Sequence, residues 1–401
     1  MGEISSRKVV MAVSNDFVTD ARVYKEAKTL SDAGYQVVVI ATKRKSDKLP
    51  PEEKVAGFIV KRVELPDKTS GVNYAIERIK QIKQTTKFGR PYFDKFYERL
   101  LSEKGNIYHA NDADTLLPAY KAAKLNNAKL VYDVHDLYPD MLDALISYHR
   151  KNGEYIEWLL ILLAKRNYAR IEAGYINKVD VLITVNETLA KELINRYNLR
   201  KKPVIIYNYP EIPKIKQSNL IREKLGLSND TKIVLFQGVF HPGRSLKELV
   251  EAMQFVDDNI VLVFLGKGKL EEELKNLVNK LSLESRIFFL GEVPYSEVFN
   301  YTVSADVGIV ALEESAINKK SSPVKIYDYL AAGLSVVATD TPEIRKILPS
   351  ANILPSTEPE KIASGLKNAL SYDKTQKITI VRNWLTEAKK LLGIYGSLLQ
   401  V

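Results

Sequence analysis

Short apolar runs alternate with helical segments along this chain in two successive blocks, and that alternation restricts the fold to parallel sheets with helices on both faces. The first block has apolar runs at 8–13, 36–41, 58–62, 106–109, 129–133, 181–185 and 203–207. The second repeats the pattern at 232–237, 259–265, 286–290, 307–310 and 334–338. Runs this short and this continuously apolar suit strands buried on both sides. Residues 208–217, with Pro210 and Pro213 and little periodicity, read as a linker. The expected architecture is α/β. Two doubly wound, Rossmann-like domains, 1–207 and 219–377, are joined by a linker at 208–218, and a cleft lies between them. A last helical stretch, 378–401, is long enough to pack back on the first domain. At 401 residues the chain can fill two cores.

Ligands of such sheets bind beyond the carboxyl ends of the strands, so the turns that follow strands are where chemistry is sought. The segment Ser322-Pro323-Val324-Lys325-Ile326-Tyr327-Asp328 opens a helix that Gly333 ends. Ser322 is a good N-cap and Pro323 fits the first helical position. Lys325 then lies in the first turn, where the helix dipole disfavours a cation. Its presence makes sense when an anion such as phosphate occupies the site. Asp328, three residues on, shares its face and suits the two hydroxyls of a ribose. The plainer reading is an ordinary amphipathic helix.

A second turn, Gln237-Gly238-Val239-Phe240-His241-Pro242-Gly243-Arg244, follows the strand at 232–236. Gly238 permits close backbone approach, Ser245 and Glu248 have the spacing of a capping box, and Arg244 could grip a diphosphate. An arginine beside a turn is more often simply solvated, but with Lys325 and Asp328 it makes two cations and one carboxylate at strand ends of one sheet. Gly266-Lys267-Gly268 lacks the third glycine of a dinucleotide fingerprint, because residue 271 is Glu271; it reads as a tight turn. The first strand–helix turn, 14–19, has no glycine, which argues against a Rossmann dehydrogenase.

In the first block, Asn111-Asp112-Ala113-Asp114 sits at a strand end, and Asp133-Val134-His135-Asp136 follows the next strand. Asp112 and Asp114 could hold a divalent ion, though acidic residues in a first turn more often complement the dipole. With a cleft between the domains, Asn111, Asp112, His135 and Asp136 become the candidates for a second substrate's site.

Composition narrows the chemistry further. No cysteine is present, which removes disulfides, thiolate catalysis and cysteine-ligated zinc, and four histidines leave little for a histidine metal site. The first residues lack the apolar core of a signal peptide. The longest plain apolar run, 158–164, is far short of the roughly 20 residues that span a bilayer. These features lead to the expectation of a cytoplasmic protein. The net charge of +10 calls for an anionic partner: nucleic acid, anionic lipid or a phosphorylated small molecule. Residues 71–105 hold eight basic and four acidic residues, with Tyr74, Phe88, Tyr92, Phe93, Phe96 and Tyr97 among them. Such a segment either lies on an anionic membrane, at the inner face of the plasma membrane, or packs its aromatics on the first domain.

The chain resembles the family 4 glycosyltransferases of the GT-B fold over nearly its whole length. The resemblance rests on Asp20-Ala21-Arg22-Val23 with 33–37, on His109 to Pro118 with 130–136, and on 180–186 with Tyr207-Asn208. In the second block it rests on Phe236-Gln237-Gly238 with Pro242-Gly243-Arg244, and on 322–333. It implies retaining transfer of a sugar from a UDP-, GDP- or ADP-linked donor to a glycan or lipid-linked acceptor. It implies no cofactor, no essential metal and no protein nucleophile. On this resemblance Arg244 and Lys325 neutralise the departing diphosphate, Asp328 takes the ribose, and Gly238, Ser322, Pro323 and Val324 complete the donor site. The chain departs from the family pattern in three places. Val239 stands where an arginine is frequent. Lys320 stands where the first of two paired glutamates is expected, with Glu313 and Glu314 the carboxylates just upstream. Asn111 stands where a histidine is common. Two other classes fit parts of the pattern. A GT-B sugar-nucleotide epimerase or hydrolase would act without an acceptor. A nucleic-acid binder would use the basic surface, although no specific nucleic-acid motif accompanies the charge.

Overall fold

The structure, a computed structural model, describes residues 7–66, 93–211, 218–313, 324–371 and 383–399. The described chain divides into two compact units, Met1–Tyr207 with Leu385–Val401, and Asn208–Trp384.

The first unit is built on strands β1 (Lys8–Ala12), β2 (Gln36–Arg44), β3 (Glu52–Val55), β4 (Phe58–Leu65), β5 (Ile107–Asn111), β6 (Lys129–Val134), β7 (Val181–Thr184) and β8 (Val204–Ile205). They lie in the order β3-β4-β2-β1-β5-β6-β7-β8, parallel except for β3. β5 is buried along its whole length, as expected for a central strand covered on both faces. β3 was not legible as an apolar run: its sequence is Glu-Glu-Lys-Val, a charged strand on the sheet's edge, where charge discourages further pairing. Asp20 caps helix α1 (Ala21–Asp32) by accepting from the Val23 N–H at 3.1 Å. Strand order reverses between β1 and β5, whose carboxyl ends open toward the turns at 14–20 and 111–112.

Helix α2 (Phe93–Ser102) begins the described part of the basic, aromatic segment. Phe93 and Phe96 are fully buried and stacked, with ring centroids 4.6 Å apart, so these two aromatics belong to the core. Tyr74, Phe88 and Tyr92 lie outside the described residues. Helices α3 (Ala113–Leu125), α4 (Tyr138–Lys151) and α5 (Tyr155–Tyr175) follow.

The second unit carries β9 (Lys232–Gln237), β10 (Ile260–Leu265), β11 (Ile287–Gly291), β12 (Val307–Val310), β13 (Ser335–Thr339) and β14 (Ile353–Leu354). All pairings are parallel, in the order β11-β10-β9-β12-β13-β14, with the reversal between β9 and β12. Helix α6 (Leu246–Ala252) follows β9, and α7 (Val324–Ala331) precedes β13. Backbone approach is unusually close here. A Cβ on Gly268 would lie 2.4 Å from the Phe240 carbonyl oxygen, and one on Gly266 would lie 2.1 Å from that of Gly238. The two glycines therefore serve the packing of neighbouring turns, the ordinary role read for them.

Helix α8 (Trp384–Leu398) falls mostly within the first unit. Its Leu391 and Tyr395 are fully buried, and the Tyr395 hydroxyl lies 2.7 Å from His109 Nδ1 on β5.

Candidate active site

Two polar sites form, one in each unit, at the carboxyl end of its sheet's reversal point.

In the second unit the turn after β9 is shaped around Arg244. Gly238 has φ +142°, and a Cβ there would sit 2.7 Å from Arg244 Nη1, so the absent side chain leaves room for the guanidinium. The Arg244 backbone is held by an antiparallel bridge to Leu312, and the Glu313 N–H donates to the Gly243 carbonyl. The continuation of β12 thus pins the loop that carries Arg244. The expected capping box does not form. The Ser245 N–H donates to the Ala311 carbonyl, leaving nothing for Glu248 to cap, and the buried Ser245 Oγ has no partner among the described residues. Burial pushes the Glu248 carboxyl above its ordinary range, with the nearby Glu313 adding to the shift. His241, not singled out from sequence, sits in the same turn with its Nδ1 2.7 Å from the Pro242 carbonyl, and burial holds it below its ordinary value.

Helix α7 brings Lys325 and Asp328 beside this turn. Lys325 Nζ lies 3.5 Å from Asp328 Oδ2, at the expected i, i+3 spacing. The same Oδ2 accepts from Gln237 Nε2 at 3.1 Å, and Gln237 Oε1 accepts from the Thr302 hydroxyl at 2.9 Å. The Gln237 N–H donates to the Tyr329 hydroxyl, and the Tyr329 ring lies against Gly308, where a Cβ would stand 2.2 Å from it. Asp328 is therefore oriented by a buried amide from β9, a partner the sequence reading missed. Both contacts fall on Oδ2, leaving Oδ1 without a hydrogen-bond partner among the described residues. Val324 begins α7 and is half-buried. Ser322, Pro323, Glu314 and Lys320 lie outside the described residues.

In the first unit a buried charge cluster occupies the reversal point. The Arg22 guanidinium binds Asp133 through Nε at 2.7 Å and Nη2 at 3.1 Å, reaches Glu26 at 3.3 Å, and donates to the Ile206 carbonyl. Burial drives the Glu26 carboxyl well above its ordinary range, and Asp133 beside it adds to this. Asp133, though buried, is held well below its ordinary range by Arg22 and His135. The two neighbouring carboxyls are thus pushed in opposite directions, Glu26 toward its neutral form and Asp133 toward its charged form. Glu26, His109 and Asp133 have ligand atoms within 4.8 Å of one another, a metal-like spacing. However, Arg22 already supplies the positive charge there, and a divalent ion would be set against its guanidinium. Burial lowers His109 to about 4, so its ring is neutral.

Asp112 and His135 form the outer edge of this cluster. Asp112 has φ +62° and ψ 168°, a conformation otherwise almost confined to glycine, and such strain concentrates at functional sites. Its carboxylate does not cap α3. It accepts from the His135 N–H at 3.1 Å and lies 3.5 Å from the His135 ring. Burial raises Asp112 to about 7. Burial works against a charged His135, but Asp112 and Asp133 together push it up to about 10, so it is an imidazolium at neutral pH. Asp114 is instead buried and accepts from the Tyr138 hydroxyl, so the two carboxylates of the D-x-D pair part company. Asn111 is also buried, its amide donating to the Ala12 carbonyl across the reversal point; this makes it a brace rather than an exposed contact. Asp136 is half-buried at the start of α4.

Two family models match the chain: Glycosyltransferase Family 4 over residues 21–209 and Glycosyl transferases group 1 over 217–382. The chain belongs to the family 4 glycosyltransferases, with the GT-B fold of two parallel-sheet α/β domains. It is 24% identical to the alpha-monoglucosyldiacylglycerol synthase of Streptococcus pneumoniae, over 50% of this chain and 47% of that protein. The chain thus matches about half the length of this relative. Sucrose-phosphate synthase from Thermosynechococcus elongatus has a similar fold, with a TM-score of 0.71 at 17% identity over 98% of this chain and 99% of that one. HepE from Anabaena, in complex with UDP-glucose, has a TM-score of 0.65 at 14% identity, covering 97% of this chain and 99% of that one.

Proposed function

We propose that the protein transfers a sugar from a nucleoside diphosphate sugar to a glycan or lipid-linked acceptor, with retention at the sugar's anomeric carbon. The observation that carries this reading is the Asp328 carboxylate, held through one oxygen by Gln237 and Lys325 with the other left open, beside the Gly238–Arg244 turn. In this arrangement Asp328 Oδ1 accepts the ribose hydroxyls, while Arg244 and Lys325 face the diphosphate. As the bond between sugar and diphosphate breaks, negative charge grows on the leaving oxygen. Fixed cations at that point are worth most when water is excluded. Ser322 and Pro323 complete the donor site on this reading. The UDP-glucose bound by HepE and the diacylglycerol product named for the streptococcal relative support the donor and acceptor classes. Asp112, His135 and Asp136 are the acceptor side of the proposal. No described helix is long and apolar enough to cross a membrane. On this reading the lipid-linked acceptor is met at the membrane surface, on its cytoplasmic face.

Thermal shift of the purified protein against UDP, GDP, ADP, NAD and a short DNA duplex tests the reading. One nucleoside diphosphate is expected to stabilise the protein. Lys325→Ala and Arg244→Ala should each weaken that binding by about 1.5–3 kcal/mol, the range for charge-assisted hydrogen bonds. Stabilisation by DNA or NAD alone, or undiminished binding in both variants, would overturn it.

A further inference from the structure

The apolar run at 158–164 lies in α5, whose two halves differ sharply. The C-terminal half is anchored: Tyr168, Ile171 and Glu172 are buried, and the Glu172 carboxylate accepts from the Tyr132 and Tyr197 hydroxyls at 2.6 Å each. The N-terminal half has no buried residue, although every residue from 155 to 163 except Glu157 is apolar or aromatic. Tyr155 is 66% exposed, Ile156 56%, Leu159 47% and Leu163 38%. At 100° per residue these four share one face, and the exposed Arg166 and Arg170 continue the same stripe. Arg150 and Lys151, also exposed, end α4 just before it.

The charges around this face are one-sided. Asp140 is paired with Arg196, Asp143 with Lys165, and Glu154 with the His149 ring. Arg150, Lys151, Arg166 and Arg170 have no ion-pair partner among the described residues. A contiguous apolar stripe edged by unpaired cations signals a surface awaiting cover. A second copy of the chain would bring these cations against their own counterparts, which opposes pairing. An anionic surface complements them, with the apolar side chains entering the acyl boundary and the guanidinium groups at the phosphates.

We propose that the exposed face of α5, with the end of α4, docks the protein on an anionic phospholipid bilayer. The proposal deepens the lipid-linked acceptor reading, on which its biological purpose rests. Its test uses neither donor nor acceptor, so the two fail separately. The full chain is sedimented with vesicles of equal parts phosphatidylglycerol and phosphatidylcholine, and with phosphatidylcholine alone. Binding to the anionic vesicles is expected, falling as salt rises. The double variant Leu159→Glu/Leu163→Glu should lower the partition coefficient by about tenfold or more, through lost apolar burial. Arg166→Glu/Arg170→Glu should lower it similarly and flatten the salt dependence. These substitutions fall on exposed positions, and an unchanged melting temperature in each variant confirms that the fold persists. Absence of vesicle binding, or binding undiminished from wild type in both double variants, would overturn the proposal. So would a concentration-dependent dimer in sedimentation equilibrium that Leu159→Glu/Leu163→Glu dissolves, which would make the face a contact between copies.

Discussion

Asp328 shows how one residue's role depends on a partner far away in sequence. Its spacing from Lys325 was legible, since residues three apart on a helix share a face. The Gln237 amide that donates to it comes from the end of β9, and no local pattern announces that contact. Gln237 in turn is fixed by Thr302. Replacing Gln237 with Leu removes one hydrogen bond to the carboxylate and frees its rotation. The expected result is a loss of about 1–1.5 kcal/mol, roughly tenfold, in nucleoside diphosphate affinity by calorimetry. Affinity for inorganic diphosphate should stay unchanged, because it lacks the ribose. Equal losses for both ligands would show that Gln237 supports the phosphate side instead.

On the proposed function the turns between strands and helices carry the chemistry, and glycine does two different jobs in them. Gly238 meets only the flexible tip of Arg244, whereas Gly268 meets the Phe240 backbone at 2.4–2.7 Å. Gly238→Ala should therefore displace the guanidinium and weaken diphosphate binding about as much as Arg244→Ala. Its melting temperature should fall only modestly, from strain at a φ of +142°. Gly268→Ala has no flexible neighbour to move and should lower the melting temperature far more. Parallel melts and binding curves for the two variants separate these outcomes. The failed capping box makes the same point about elements. Ser245 and Glu248 have the right spacing, but the Ala311 carbonyl takes the Ser245 N–H, because the continuation of β12 runs alongside.

At the scale of the molecule, the first unit is built around a buried charge cluster rather than a purely apolar centre. Arg22, Glu26 and Asp133 are joined by His135 and Asp112, and His109 ties the cluster to Tyr395 of α8. This predicts a pH dependence of stability. His135 has a folded value near 10, above the ordinary 6.5, so its contribution is fully present below about 6.5 and is lost as pH rises through 10. Asp112, raised to about 7, is half-titrated at that pH and adds to the decline only at its lower end, leaving His135 as the member of this pair that titrates toward pH 10. Melting temperatures taken from pH 7 to 10 should decline in the wild type, with a flatter profile in His135→Gln. Parallel profiles would show that His135 carries no such linkage.

The alternation of apolar runs was sufficient to reveal two parallel α/β sheets, and most strand bounds lie within a few residues of those read from the chain. This worked because strands covered on both faces must be apolar throughout, a property that is local in sequence. The residues proposed for the donor site could be picked out for a related reason: Gly238, Arg244, Lys325 and Asp328 occur just where strands end and helices begin. Charged β3 was missed, since an edge strand needs no apolar run. The Arg22–Glu26–Asp133 cluster was missed as well, although Arg22 and Glu26 stand four apart among the core positions Val23, Ala27 and Leu30 of α1. A charged residue at a core position is a readable signal, but its partner is not, because Asp133 lies 111 residues away. Side-chain pairs of that kind come into being only when the sheet sets β5, β6 and α1 side by side.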